Sequence, residues 1–167
     1  QFYRIRVDGK RKRTITKAKG WHSINLSSDF KYYIDTYSNH STPPVITLYK
    51  ENGKGVRTLE DNATLKAKTS NFKFGKKTFA QFDVNGKTLN AFIINPVDFD
   101  STKKYPVLMY VYGGPGSQTV MDSYESGQRA MWHQYLANQG YLVVSVDNRG
   151  TGARGRDFEQ QTYLQLG

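Results

Sequence analysis

The feature that most constrains the fold is an apolar segment, residues 105–112, that ends in a glycine-rich turn. The segment is rich in β-branched and aromatic residues, and it is short enough for a strand that is buried on both faces. The turn Gly113-Gly114-Pro115-Gly116 permits unusual backbone angles at its glycines and restricts φ at its proline. Open α/β sheets place their chemistry beyond the carboxyl ends of such strands. The same pattern also fits an ordinary tight turn after a core strand.

A helical segment and a second apolar segment follow the turn. Residues 121–138 predict a helix, and residues 141–146 predict the next buried parallel strand. A strand, a helix and a strand of these lengths form a βαβ unit with a right-handed crossover. His133 is expected at the surface because it lies off the predicted core stripe of the helix. That stripe consists of Met131, Trp132, Tyr135 and Leu136.

Upstream of this unit, residues 77–84 and 88–95 alternate between apolar and polar side chains. The pair Asn85-Gly86 between them is a strong signal for a two-residue hairpin turn. We therefore expect these segments to be the first two strands of the same sheet, antiparallel to the rest.

Short strands with frequent turns are predicted for the first 60 residues. Turn signals occur at Asp8-Gly9, at Ser27-Ser28-Asp29 and at residues 51–55, and Pro43-Pro44 is expected to break the chain. This pattern is typical of an antiparallel meander such as a propeller blade. A short helix or turn follows over residues 62–68, and we place a domain boundary near Asp61.

The chemistry of the glycine-rich turn depends on Tyr112, which immediately precedes it. A phenol O–H is a neutral donor at pH 7 and can point at a developing alkoxide. In α/β-hydrolases a loop after the third strand, often of HGGG type, forms the oxyanion hole. The segment resembles the dipeptidyl peptidase IV branch of the prolyl oligopeptidase family of serine peptidases. That resemblance implies that the hydroxyl of Tyr112 binds the oxyanion.

The resemblance covers most of the chain. The segments RTLEDNATL (57–65), KKYPVLMYVYGGPGSQ (103–118), WHQYL (132–136) and VDNRGTG (146–152) occur in family order and at family spacing. It implies a mixed fold, in which residues 1–61 are the C-terminal end of a β-propeller domain. Residues 62–167 would then be the N-terminal part of an α/β-hydrolase catalytic domain.

The resemblance also implies that the Ser/Asp/His triad lies outside this chain, because the family's G-x-S-x-G elbow follows the DNRGTG segment and no such motif occurs here. We expect an internal part of a larger serine exopeptidase that releases N-terminal di- or tripeptides after Pro or Ala. Tyr112 is its only predicted catalytic residue, and the chain by itself is expected to be inactive. No cofactor, metal site or substrate-binding residue is predicted. Peptide substrates, a homodimeric parent and a periplasmic, secreted or membrane-anchored location are expected from the family alone.

Two other functions compete with this one. A non-catalytic propeller or hydrolase-like interaction module stays open, because part of the family has lost its serine. The net charge of +10, from 24 Lys and Arg against 14 Asp and Glu, could serve nucleic acid. However, the basic residues are scattered, and the only tight run, residues 10–13, follows a hairpin turn. We therefore expect no nucleic-acid partner.

The remaining motifs do not indicate a further function. Residues 150–155 match G-x-G-x-x-G, but three residues separate the preceding strand from the first glycine, and we discount a dinucleotide site. Residues 85–88 imitate the end of a Walker A loop, although strands flank them where a helix is required. The absence of cysteine excludes disulfides and thiolate metal sites. His22 and His40 lie in the predicted meander without a partner motif.

Overall fold

The computed structural model describes residues 1–165, which form two compact units. Unit 1 comprises Gln1–Phe72 with Asp122–Glu125, and unit 2 comprises Lys73–Met121 together with the chain from Ser126 onward. These units are defined by spatial proximity. The predicted boundary near Asp61 concerns the domains of the family, and it stays a prediction.

Unit 1 begins with a short hairpin and continues as a four-stranded sheet. The hairpin pairs β1 (Tyr3–Arg4) with β2 (Arg13–Thr14), and the Asp8 side chain accepts from the Lys10 N–H within its turn (3.0 Å). The sheet has the order β3-β4-β5-β6 with every pair antiparallel, so the predicted meander is confirmed. Its strands are β3 (Trp21–Leu26), β4 (Tyr32–Asn39), β5 (Thr42–Lys50) and β6 (Gly55–Glu60).

The predicted chain break at Pro43-Pro44 is wrong, because both prolines lie inside β5. They occupy the beginning of that strand, next to a register irregularity between Tyr37 and Asn39 of β4. A proline has no N–H to donate, and strand starts and bulges are where a sheet tolerates this loss. The predicted short helix after the meander is present as α1 (Ala63–Thr69).

Unit 2 contains a mixed sheet of order β7-β8-β10-β9. The strands are β7 (Lys77–Val84), β8 (Lys87–Ile94), β9 (Val107–Tyr110) and β10 (Leu142–Val146). The hairpin at Asn85-Gly86 is confirmed, and both residues have positive φ (51° and 72°), as a two-residue turn of this type requires. β10 pairs in parallel with β9 and antiparallel with β8. Only β8 therefore runs against the other strands, and the expectation that both hairpin strands would do so is wrong for β7.

The crossover helix α2 (Gln128–Asn138) joins β9 to β10, but it begins seven residues later than predicted. Residues Asp122–Glu125 belong to unit 1, where the Asp122 carboxylate accepts from the backbone N–H of His40 (2.9 Å). The chain then reaches Gly127 with φ 99° and ψ −179°, a positive-φ conformation that essentially only glycine adopts and that a helix cannot include. The polar side chains in this segment thus form tertiary hydrogen bonds and are not part of a helical turn.

The predicted core stripe of α2 is wrong for three of its four residues, whereas Leu136 packs against the core of unit 2 as expected. Met131, Trp132 and Tyr135 are 48–60% exposed, whereas His133 and Ala137 are 1% exposed. Ala137 lies so close to Gly75 that an added Cβ on that glycine would be 2.9 Å from the alanine Cβ. The helix approaches the sheet through His133, Leu136 and Ala137, so a search for large apolar residues alone finds only part of the buried face.

The strand predicted over residues 105–112 is shorter and less buried than expected. β9 spans Val107–Tyr110, and Val107 and Met109 are 56% and 60% exposed. β9 is an edge strand, and only its other face, which carries Leu108, packs against the core of unit 2. That core consists of Phe92, Ile94, Val120, Ala137 and Val143.

Candidate active-site loop

The loop that carries Tyr112 starts where β9 ends. Because β9 and β10 are parallel, their carboxyl ends lie side by side at one edge of the sheet. Gly113 and Gly116 have φ values of 80° and 68°, which side chains other than glycine rarely adopt. These two glycines turn the chain away from the sheet immediately after the tyrosine.

Tyr112 is the single catalytic residue predicted from the sequence, and its side chain is open to solvent. The residue is 62% exposed, and no hydrogen bond to its hydroxyl is present within residues 1–165. Its ring lies over Gly114, where an added Cβ would be 2.8 Å from ring atom Cε1. The phenol is therefore available as a hydrogen-bond donor to a group outside the described chain.

The turn after β10 holds the loop in two places. The Gly116 N–H donates to the carbonyl of Gly150 at 2.8 Å. Further along, the carboxylate of Asp147 accepts from the backbone N–H and the hydroxyl of Thr119, both at 2.8 Å. Asp147 is 3% exposed, so these bonds form in a site that contains little water.

The sequence interpretation treated Asp147 only as part of a family segment and missed its contacts. A carboxylate that directly follows a buried parallel strand was the available signal, since this is the position where such sheets collect functional side chains. What the sequence could not indicate was the partner, because Thr119 is 28 residues away along the chain.

The glycine-rich segment 150–155 has a structural role. An added Cβ on Gly150 would be 2.4 Å from the Thr162 hydroxyl, so this glycine permits a close approach. Arg154 donates to the carbonyl of Thr88 (2.8 Å), and its guanidinium lies over the ring of Phe158. The helix that follows, α3 (Arg156–Glu159), has only four residues. A dinucleotide fingerprint requires a longer helix to receive the pyrophosphate.

All three histidines pack against partners that the sequence did not suggest. Nδ1 of His22 lies 2.8 Å from the Asp35 carboxylate, and its Nε2 lies 2.9 Å from the carbonyl of Ala18. Nδ1 of His40 lies 2.8 Å from the Asp122 carboxylate. His133, expected at the surface, is buried with its ring centroid 5.3 Å from that of Tyr110.

Unit 1 contains a cavity of about 770 Å³ between the first hairpin and the four-stranded sheet. Tyr33, Asp35 and Tyr49 are among its lining residues. Burial raises the pKa of Tyr33 to about 12, and the neighbouring Asp35 and Tyr49 add to this shift. Phenol and carboxylate side chains thus lie together in a poorly solvated part of the blade.

No group of three or more His, Cys, Asp or Glu side chains within residues 1–165 has the arrangement of a metal site. Over the same residues, no helix has the length and apolar character needed to span a lipid bilayer.

Comparisons with known proteins place both ends of the chain in one peptidase group. Residues 1–44 match the profile described as "Dipeptidyl peptidase IV (DPP IV) N-terminal region", and residues 128–167 match the profile "Prolyl oligopeptidase family". The profiles occur in the order expected for a propeller followed by a hydrolase domain. The expected architecture, a propeller blade followed by the start of an α/β-hydrolase domain, is confirmed by these matches and by the two sheets.

Curated relatives and solved structures agree with these profiles. A probable dipeptidyl-aminopeptidase B of Emericella nidulans is 34% identical over 160 residues, which are 93% of this chain and 17% of that protein. A probable dipeptidyl peptidase 4 of the same organism is 36% identical over 89% of this chain and 19% of its own length. The chain therefore spans less than a fifth of the length of these curated relatives.

Among solved structures, dipeptidyl peptidase 4 of Porphyromonas gingivalis superposes with a TM-score of 0.88 and 40% identity, over 98% of this chain and 23% of that one. A putative dipeptidyl aminopeptidase IV of Bacteroides ovatus gives a TM-score of 0.80 and 30% identity, over 96% and 23%.

Proposed function

Because this chain belongs to the dipeptidyl peptidase IV branch of the prolyl oligopeptidase family, we propose that it is part of a serine exopeptidase. The complete protein releases N-terminal di- or tripeptides, typically after Pro or Ala. Support for the reaction comes from relatives named dipeptidyl-aminopeptidase and dipeptidyl peptidase. Peptides are accordingly the proposed substrates. A homodimeric assembly and a location outside the cytoplasm rest on the family likeness alone.

Within this enzyme, the proposed role of Tyr112 is to stabilise the oxyanion. The observation that supports this role is an exposed phenol that has no hydrogen-bond partner among residues 1–165. It lies two residues beyond a parallel strand, on a loop held by the neighbouring strand end. A donor that is already occupied within the protein could not turn to a substrate without losing that bond. The hydroxyl of Tyr112 can turn to a substrate without breaking a hydrogen bond within residues 1–165.

In the proposed reaction this segment contributes one hydrogen-bond donor, the hydroxyl of Tyr112. A serine supplied elsewhere in the complete protein attacks the scissile carbonyl, and the carbonyl oxygen becomes an alkoxide. The hydroxyl of Tyr112 donates a hydrogen bond to that oxygen, and a backbone N–H beside the serine provides the second donor. Because the charge on the oxygen is larger in the transition state than in the substrate, this bond lowers the barrier more than it strengthens substrate binding.

The test is Tyr112→Phe in the complete protein, assayed with Gly-Pro-p-nitroanilide. Loss of one oxyanion donor costs about 3–4 kcal/mol of barrier, so kcat should fall by roughly a hundredfold or more with little change in KM. Tyr135→Phe is the matched control, because Tyr135 is 60% exposed on the outer side of α2 and has no proposed role. A Tyr112→Phe enzyme with wild-type kcat would exclude this role.

A further inference from the structure

Asp147 directly follows β10, and both ends of the Tyr112 loop lie beside the end of that strand. Tyr110, the last residue of β9, is the register partner of Ser145 in β10. After the loop, the hydroxyl of Thr119 lies 2.9 Å from the Ser145 hydroxyl and 2.8 Å from the Asp147 carboxylate. The loop thus starts beside Ser145 and ends beside Ser145 and Asp147, which are two residues apart.

The contacts of the Asp147 carboxylate are all directed at the returning end of the loop. Oδ1 accepts from the N–H and the hydroxyl of Thr119, and both carboxylate oxygens lie 3.2 Å from the Val120 N–H. Within residues 1–165 the structure contains no ion pair to this carboxylate. Hydrogen bonds to a buried charged acceptor are about twice as strong as neutral ones. These bonds to Asp147 add to the packing of Val120 in the core of unit 2 and to the contact of the Thr119 hydroxyl with Ser145.

Tyr112, in contrast, is held weakly by its own packing. Its side chain is largely exposed, and its ring lies over Gly114, a residue without a side chain to hold it. An exposed ring has few neighbours to restrict its rotation, so the path of the backbone decides where its hydroxyl points. That path is set by the ends of the loop and by the bond from Gly116 to Gly150.

We propose that Asp147 is a positioning residue, which directs the Tyr112 hydroxyl by fixing the Thr119–Val120 end of the loop. This inference rests on the oxyanion role proposed for Tyr112. Asp147 is too buried to touch the substrate, and it acts through the backbone of the loop. A displacement of about 1 Å at a reacting centre can cost about a hundredfold in rate. A small shift of residues 119–120 could therefore lower kcat by moving the Tyr112 hydroxyl.

The conservative variant Asp147→Asn changes the hydrogen bonding of this side chain and keeps its volume, so it tests the hydrogen bonds by themselves. The amide has nearly the same shape, but it is neutral. With its oxygen at the Oδ1 position it can still accept from Thr119, while its NH2 group takes the Oδ2 position and faces the N–H donor of Val120. Thr119→Val and Thr119→Ser form a second pair of variants. Valine removes the hydroxyl that contacts Asp147, whereas serine keeps it.

The experiment is a double-mutant cycle in the complete protein with Gly-Pro-p-nitroanilide. We expect Asp147→Asn to lower kcat about tenfold with less than a twofold change in KM. In the Tyr112→Phe background the same substitution should change kcat less than about twofold, because there is no hydroxyl left to direct. Thr119→Val should behave like Asp147→Asn, and Thr119→Ser should keep near wild-type kcat. Asp83→Asn is the control, since Asp83 accepts from Thr88 (2.7 Å) in the β7–β8 hairpin.

The cycle distinguishes two failures. If Tyr112→Phe lowers kcat but Asp147→Asn costs the same factor with and without the hydroxyl, Asp147 serves stability alone and this inference is overturned. If Tyr112→Phe keeps full kcat, the proposed function of the tyrosine fails and this inference fails with it. Thermal unfolding of each variant identifies misfolding; if Asp147→Asn does not fold, the Thr119→Val and Thr119→Ser variants complete the same cycle.

Discussion

At the scale of single residues, the three glycines of the Tyr112 loop serve different purposes. Gly113 and Gly116 have positive φ and no atom within 4 Å of an added Cβ, so they are needed for the backbone angle alone. Gly114 has no such angle, but its added Cβ would be 2.8 Å from the Tyr112 ring. The glycine at 114 is therefore needed for the space that it leaves under the phenol.

Gly114→Ala should displace the Tyr112 ring with little effect on folding. A Cβ at 2.8 Å cannot be accommodated unless the ring moves, and the backbone of residue 114 suits alanine. We expect kcat of the complete protein to fall about tenfold, with the free energy of unfolding changed by less than about 1 kcal/mol.

Kinetics and thermal unfolding of the same preparation measure both effects. Gly116→Ala is the comparison, because it introduces backbone strain and no contact with the tyrosine. A Gly114→Ala enzyme with wild-type kcat would show that the ring tolerates displacement, or that its position is unimportant.

At the scale of elements, β4 carries several buried side chains with polar groups, including Tyr33, Asp35 and Ser38. Alternate residues Tyr33 and Asp35 lie on one face of this strand, as the two-residue period requires. The ring of Tyr33 stacks on Tyr49 with centroids 5.1 Å apart, and Phe2 contacts it edge-on at 5.2 Å. Asp35 is paired with His22, whose side chain is 3% exposed. One face of the strand therefore combines aromatic packing with a buried histidine–carboxylate hydrogen bond.

The raised pKa of Tyr33 predicts a loss of stability in alkali. An unfolded tyrosine ionises near pH 10, whereas the folded side chain keeps its proton until about pH 12. The stabilisation is thus complete below about pH 10 and is lost as pH rises to about 12, by an amount on the order of 2 kcal/mol.

Urea unfolding of wild-type protein and Tyr33→Phe at pH 9 and pH 11 tests this expectation. The phenylalanine variant keeps the ring contacts and has no proton to lose, so its stability should fall less between the two pH values. Equal losses in both proteins would assign the alkaline instability to other tyrosines, of which the chain has eleven more.

At the scale of the whole molecule, unit 2 presents exposed apolar side chains on an edge strand and on a helix. β9 is an edge strand with exposed Val107 and Met109, and Trp132 of α2 is 48% exposed. Exposed sheet edges and apolar faces promote association between chains. We therefore expect the 167-residue chain, when isolated, to self-associate more readily than the complete protein does.

The isolated chain is also expected to be inactive. Its sequence contains no G-x-S-x-G elbow, so no activated serine stands opposite Tyr112. Incubation with Gly-Pro-p-nitroanilide should release no p-nitroaniline above the blank, while the complete protein under the same conditions should turn the substrate over. Cleavage by the isolated chain, abolished by a serine-directed inhibitor, would contradict this expectation.

The sequence predicted best those elements that depend on neighbouring residues. The Asn85-Gly86 hairpin and the meander of unit 1 follow from local turn chemistry and strand period, and both are present. The helix α2 is present but begins seven residues later than predicted, and only Leu136 of its predicted core stripe packs against the core. The choice of face depended on Gly75, which comes from a distant segment and lets Ala137 approach closely.

The amino-acid sequence by itself determined the family and the order of the two sheets, because strand period, turn residues and a glycine-rich motif are all local patterns. Only the tertiary structure decided which groups meet across long separations: Asp147 with Thr119, His22 with Asp35, and His40 with Asp122. A hydrogen bond forms between side chains that folding brings within about 3 Å, and nothing in the spacing of these residues along the chain indicates that distance.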